Sequence, residues 1–175
     1  MAFGRGYRSR LELDSQPTSV RWVRAHTEDV LRGWSAPDAL VEDAVLVVSE
    51  LATNAVQHAA GVPAEACTGQ RGTESRFAVG LWTANSGLIV AVYDEVRRPP
   101  VQQKSSLESD GGRGLALVDA LSARWGYAYL PQGYGKLVYA VLSPPGQGDT
   151  TVALTEPALQ RLLTADAGLS AAVSA

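Results

Sequence analysis

At 175 residues the chain is long enough for one domain with a proper core. An apolar share of 46% and a charged share of 19% are those of an ordinary soluble globular protein, and a formal net charge of -3 gives no support for general nucleic-acid or anionic-membrane binding. The single cysteine, Cys67, excludes an internal disulfide framework and a cysteine-based zinc site, and no apolar run reaches the roughly 18 residues of a membrane span, so a cytoplasmic protein is the expectation.

Residues 7–13 alternate around Leu11 and Leu13 and suit a first strand. Asp14-Ser15-Gln16-Pro17 has the character of a helix start. The helix behind it carries Val20, Val23, Val30 and Leu31 with Trp22 and Trp34, and its end is expected near Gly33. Ser35-Ala36-Pro37-Asp38 starts a second helix, whose apolar positions Leu40, Ala44, Val47, Val48, Leu51, Ala55 and Ala59 recur at helical spacing. Residues 61–73 are polar and Gly-rich, a loop. Residues 74–82 and 87–94 read as two strands of an antiparallel hairpin joined through Thr83-Ala84-Asn85-Ser86-Gly87. Residues 97–112 hold almost no apolar side chain but contain Pro99-Pro100 and Gly111-Gly112, and a stretch of that kind inside a compact domain is functional or mobile. A third helix is expected over 113–124, with Leu115, Leu117, Val118 and Leu121 buried. Two more strands follow over 125–130 and 136–142, joined by Pro131-Gln132-Gly133-Tyr134-Gly135.

This order predicts an α+β fold, a two-layer sandwich with helices on one face of a mixed, mainly antiparallel sheet. The domain occupies residues 1–142. Residues 143–175 are a Pro/Gly linker and a tail, with a short helix expected around 157–163 before an Ala/Ser-rich end.

Four places could carry chemistry. On the second helix Glu50, Asn54 and His58 are spaced by four, so they lie along one inclined row. With Leu40 at zero the apolar arc runs from about -20° to about 160°, which puts Glu50 at about -80°, Asn54 at about -40° and His58 at about 0°. The row therefore starts at the solvent edge and walks towards the buried face. The spacing alone fits a polar helix edge satisfied locally better than one wall of a site, though an amide or carboxylate buried without a partner is costly and something must meet these groups. Asp94 ends the apolar strand Val90-Ala91-Val92-Tyr93, where it either opens a turn or accepts hydrogen bonds from a ligand amine. Asp110-Gly111-Gly112-Arg113-Gly114-Leu115 lies directly before a helix, where backbone N–H groups can approach phosphate oxygens. It lacks the Gly-Lys-Ser/Thr ending of a P-loop and follows a long polar loop rather than the strand of a dinucleotide fingerprint. Gly133-Tyr134-Gly135-Lys136 reads as a turn into a strand. Hydrolase and metal chemistry find no support: there is no Gly-x-Ser-x-Gly elbow, and the two histidines, His26 and His58, have no metal-binding spacing.

The order of these pieces is more distinctive than any of them. Glu-x-x-x-Asn on a helix, a strand ending in Asp, a long polar loop, Gly-x-Gly-Leu opening a helix and a Gly-led final strand resemble the Bergerat-type, histidine-kinase-like ATP-binding fold. This is the GHKL group of gyrases, heat-shock chaperones, histidine kinases and MutL. Ser-Glu-Leu-Ala-Thr-Asn-Ala-Val-Gln-His-Ala looks most like the actinobacterial anti-sigma-factor serine/threonine kinases. The resemblance, over about residues 8–142, implies ATP and Mg2+ as cofactors. It implies that the Asn54 side-chain oxygen ligates magnesium, that Glu50 is the general base, and that Asp94 accepts from the adenine amino group. It further implies that Gly112, Arg113 and Gly114, with Leu115 completing the motif, meet the phosphates, that residues 98–111 are the ATP lid, and that His58 supports packing. The implied partners are an anti-sigma-factor antagonist, phosphorylated on serine, and a sigma factor, with no direct nucleic-acid or membrane contact. A homodimer also fits, since the Trp and Val content of residues 20–34 suits a dimer surface and a core equally. The chain departs from the family pattern in three places. Glu95-Val96-Arg97-Arg98 follow the Asp where small residues are usual, making Arg97 or Arg98 a candidate phosphate or partner contact. Leu137 stands where a Thr is frequent, and the lid is poor in glycine. These departures keep a second expectation open, a non-catalytic interaction protein that retains the fold and sequesters a transcription regulator.

Overall fold

The computed structural model describes residues 6–60, 75–84, 87–100, 113–129 and 135–144. Five strands form one sheet in the order β1-β2-β3-β5-β4, and every neighbouring pair is antiparallel. They are β1 (Arg8–Asp14), β2 (Arg76–Ala84), β3 (Gly87–Asp94), β4 (Arg124–Tyr129) and β5 (Lys136–Leu142). The helices α1 (Ser19–Gly33), α2 (Asp38–Ala60) and α3 (Arg113–Leu121) complete the described elements. The expected α+β sandwich with helices on one sheet face is what the chain forms. Among the described residues the sheet is wholly antiparallel rather than mixed and mainly antiparallel.

The reason lies in the period of two along each strand. Leu88, Val90 and Val92 of β3 and Val138, Ala140 and Leu142 of β5 point into one cluster with the helices. Ile89, Ala91, Leu137 and Val141 point the other way, into a second cluster with Trp82. α2 lies over β3 and also touches β2, β5, α1 and α3, so it is the central helix of the layer. Its buried residues Leu40, Val41, Ala44, Val47, Val48, Leu51, Ala52, Ala55 and Val56 follow helical spacing. Burying a Leu or Val side chain contributes about 1.5–3 kcal/mol, so this face alone anchors the helix.

β1, β2 and β4 lie one or two residues from their expected bounds, α1 ends where expected and α3 ends early. α1 does reach Gly33, but the left-handed residue that stops it is Ser35, with φ 57°. Ser35 N–H donates to Arg32 O and Ala36 N–H to Leu31 O, the paired bonds of a Schellman cap, which usually places Gly at that position. α3 ends at Leu121 rather than at 124. Ala123 N–H is drawn to Val141 O and Arg124 already pairs with β5, so sheet bonds replace helix bonds there. The loop 61–73, most of the loop 97–112 and the tail beyond residue 144 lie outside the described residues.

Candidate functional site

The polar row of α2 is where the elements converge. Its hydroxyl neighbours are satisfied within the helix, since Ser49 donates to Val45 O and Thr53 to Ser49 O. Glu50 and Asn54 have no side-chain hydrogen bond among the described residues, and both are half-buried. His58 is also half-buried, which is shallower than its angle on the helix implies. The last turn of α2 has exposed Gln57 and Ala60 around it, so apolar neighbours run out before the angle can bury the ring.

Glu50 lies against the first turn of α3. A Cβ placed on Gly114 would overlap Glu50 Oε2, so the glycine is the space in which this carboxylate sits. The structure therefore brings together Glu50 and Gly114, which are 64 positions apart in the chain (114 − 50). Arg113 opens α3, and Gly112 lies outside the described residues. Leu115 is 6% exposed and belongs to the helix-side core, so its side chain packs; any nucleotide contact it makes would be through its backbone.

The other end of the row reaches Asp94. Eight residues separate Glu50 from His58, about 12 Å along the helix axis. Asp94 and Lys136 are directly paired across β3 and β5, on the helix-facing side of the sheet. The Lys136 ammonium donates to Asp94 Oδ1 at 2.9 Å, to Asp94 Oδ2 at 2.8 Å and to Val96 O at 2.8 Å, and its Nζ lies 3.4 Å from His58 Nδ1. Val96 N–H donates to Asp94 Oδ1 at 2.9 Å. Asp94 thus opens a turn and holds a buried ion pair, with side-chain exposures of 0% for Lys136 and 5% for Asp94. Burial pushes the Asp94 carboxyl above its ordinary range, against the pull of Lys136 and the Val96 N–H. Burial, then the charges of Lys136 and Arg98, hold the His58 imidazole below its ordinary pKa, so it is neutral at pH 7.

The sequence marks Lys136 only as part of a turn into a strand, and its pairing with Asp94 is what sequence reading missed at this site. The signal was a charge opening an otherwise apolar strand, two positions before Val138 and so on the same face. Leu137, at the position where a Thr is frequent, points to the far side of the sheet. The residue facing Asp94 is Lys136. Arg97, a candidate phosphate or partner contact, places its guanidinium over the Tyr129 ring, 4.8 Å from the centroid. A separate groove of about 620 Å3 runs between α1 and the start of α2, past Arg24, Arg32, Asp38, Glu42 and Leu46, and does not include the polar row.

Among the described residues no three His, Cys, Asp or Glu side chains cluster to hold a metal. The chemistry of Asn54 fits a magnesium ion, which takes hard oxygen ligands and keeps several waters, so one half-buried carboxamide oxygen would suffice as its protein ligand. No helix among the described residues is long and apolar enough to cross a membrane.

The polar row thus runs from the first turn of α3, at Glu50, to the paired ends of β3 and β5, at His58. The family model for the histidine kinase-like ATPase domain matches residues 13–140, and the chain belongs to that family. A solved structure similar in fold is that of the RsbU and RsbW domains of Rv1364c from Mycobacterium tuberculosis. It matches with a TM-score of 0.53 at 19% identity, over 79% of this chain and 32% of that one. The match therefore spans about a third of the length of that solved chain. No curated protein matches the sequence.

Proposed function

We propose that this protein is an ATP-binding regulator of the anti-sigma-factor kinase type, which phosphorylates a serine of a small antagonist protein. The observation that carries the reading is the placement of Glu50 against Gly114, with Asn54 one turn further along the same edge. Membership of the histidine kinase-like ATPase family and the resemblance of the α2 motif to the serine kinases support it. In this reading the serine hydroxyl attacks the γ-phosphorus, the P–O bond to ADP breaks, and the hydroxyl proton passes to the Glu50 carboxylate. The backbone N–H groups at the start of α3 face the phosphates, where the helix dipole favours negative charge. Asn54 would hold a magnesium ion, which would supply neutralisation of phosphate charge, one part of the positioning and electrostatic stabilisation on which phosphoryl transfer depends. The expected partners are the antagonist and a sigma factor.

Calorimetry with Mg-ATP tests the reading. Glu50→Ala is expected to bind ATP and fail to transfer phosphate, and Asn54→Ala to lose the magnesium-dependent part of binding. No heat from folded protein overturns it. One observation favours a second reading, a non-catalytic nucleotide-binding partner protein: the Asp94 carboxylate is already engaged by Lys136. A phosphotransfer assay against candidate antagonists separates the two.

A further inference from the structure

The Asp94–Lys136 pair is a built feature rather than a chance surface contact. The two residues are 42 positions apart and meet as register partners of β3 and β5. Gly135 places Lys136 there. It has φ +112°, and a Cβ on it would run into the backbone of Asp94 and Glu95. Only a glycine lets β5 start this close to the end of β3.

The hydrogen-bond count at the pair is closed on the lysine side. An ammonium has three protons and no acceptor. Its three bonds below 3 Å go to Asp94 Oδ1, Asp94 Oδ2 and Val96 O, and His58 Nδ1 stands at 3.4 Å as a fourth neighbour. On the acid side, Oδ1 takes both Lys136 and Val96 N–H. A free carboxylate at a sheet end is an acceptor that selects an amino group and rejects a carbonyl oxygen. A site that depends on such a bond discriminates strongly, because the wrong ligand leaves a buried polar group unpaired. Here the carboxylate already has its partner, supplied by the protein, so a ligand without an amino group leaves nothing unpaired.

Resting on the nucleotide-binding reading above, we propose that Lys136 is a specificity-determining residue at the base end of the site. By occupying Asp94 it removes selection for the adenine amino group, so adenine and guanine nucleotides bind alike and the triphosphate supplies most of the affinity.

The test is calorimetry of the wild-type chain with Mg-ATP, Mg-GTP and magnesium tripolyphosphate. The expected result is dissociation constants for ATP and GTP within about fivefold, a difference of about 1 kcal/mol, with tripolyphosphate competing against both. A preference of about fivefold or more for either base overturns the inference and leaves nucleotide binding standing. Absence of binding by all three ligands overturns both. Lys136→Thr frees one carboxylate oxygen and is expected to raise the ATP-to-GTP preference by about tenfold or more. An unchanged ratio in the folded variant overturns the inference. If the variant does not fold, the wild-type ratio decides alone.

Discussion

Replacing Gly114 by alanine separates the stability of α3 from the placement of Glu50. The added methyl group would overlap Glu50 Oε2, while Glu50 Cδ at 3.4 Å and Cβ at 3.6 Å are at ordinary contact distance. Only the tip of a half-exposed side chain has to move, by about an ångström, to reach normal van der Waals separation. An alternative staggered rotamer achieves this at a cost of about 1 kcal/mol or less. Against it, Gly→Ala in a helix interior gains about 1 kcal/mol, and less in a first turn such as this one. Stability is therefore expected to change by no more than about 1 kcal/mol in either direction, read from urea denaturation. The carboxylate, however, is displaced from the start of α3, and a misplacement of about 1 Å can lower a rate by about a hundredfold. Phosphotransfer is expected to fall by about that factor while Mg-ATP still binds. A loss of stability of about 2 kcal/mol or more would show that Glu50 is locked against α3. A wild-type transfer rate would show that the position of Glu50 does not matter, and either result refutes the reasoning.

Gly135→Ala has the opposite character, because the added Cβ meets backbone, with Glu95 Cα at 2.9 Å and Asp94 C at 3.0 Å, and φ is +112°. It is expected to cost about 2–4 kcal/mol, whereas Gly33→Ala, with nothing within 4 Å, changes the thermal midpoint little. Asp94→Asn or Lys136→Met alone leaves a buried charge unpaired and should cost about 3–5 kcal/mol, with most of it recovered in the double variant; additive losses would refute the coupling. Acid should destabilise the protein through its histidines. Burial holds the folded-state pKa of both His26 and His58 below 6.5, so their contribution is present above 6.5 and is lost as pH falls through that value towards the folded pKa. Asp94, whose folded pKa is raised, acts in the opposite sense: its contribution is present below 3.8 and is lost as pH rises through its folded value. Thermal midpoints between pH 7.5 and 5.5 should fall on acidification, and His58→Gln should flatten the slope. An unchanged slope refutes the role given to His58.

Much of the fold was legible because its signals are local. The bounds of β3 and β5 agree with those expected from their apolar runs, and α2 follows from apolar positions recurring every three or four residues. The early end of α3 has a non-local cause, and the cap after α1 a local one. α3 yields at Leu121 because Ala123 and Arg124 bond to β5, and Ser35 rather than a glycine takes the left-handed turn after α1. At the site, the four-residue spacing of Glu50, Asn54 and His58 marked one edge of one helix. It said nothing of what that edge meets. Asp94 was legible both as a turn-opener and as an acceptor, and the structure has it doing both, with a lysine as the donor.

By itself, then, the sequence determined the elements, the buried face of each and the polar row on α2, because periods of 3.6 and 2 are written residue by residue. It did not determine that β5 inserts between β3 and β4, since strand adjacency depends on contacts across long separations. That insertion is what sets Lys136 opposite Asp94, and the packing of α3 on α2 is what sets Gly114 against Glu50. A carboxylate reads the same in a sequence whether it is open to a ligand or closed by an ammonium. Only the folded chain decides which, because the deciding group comes from a different strand.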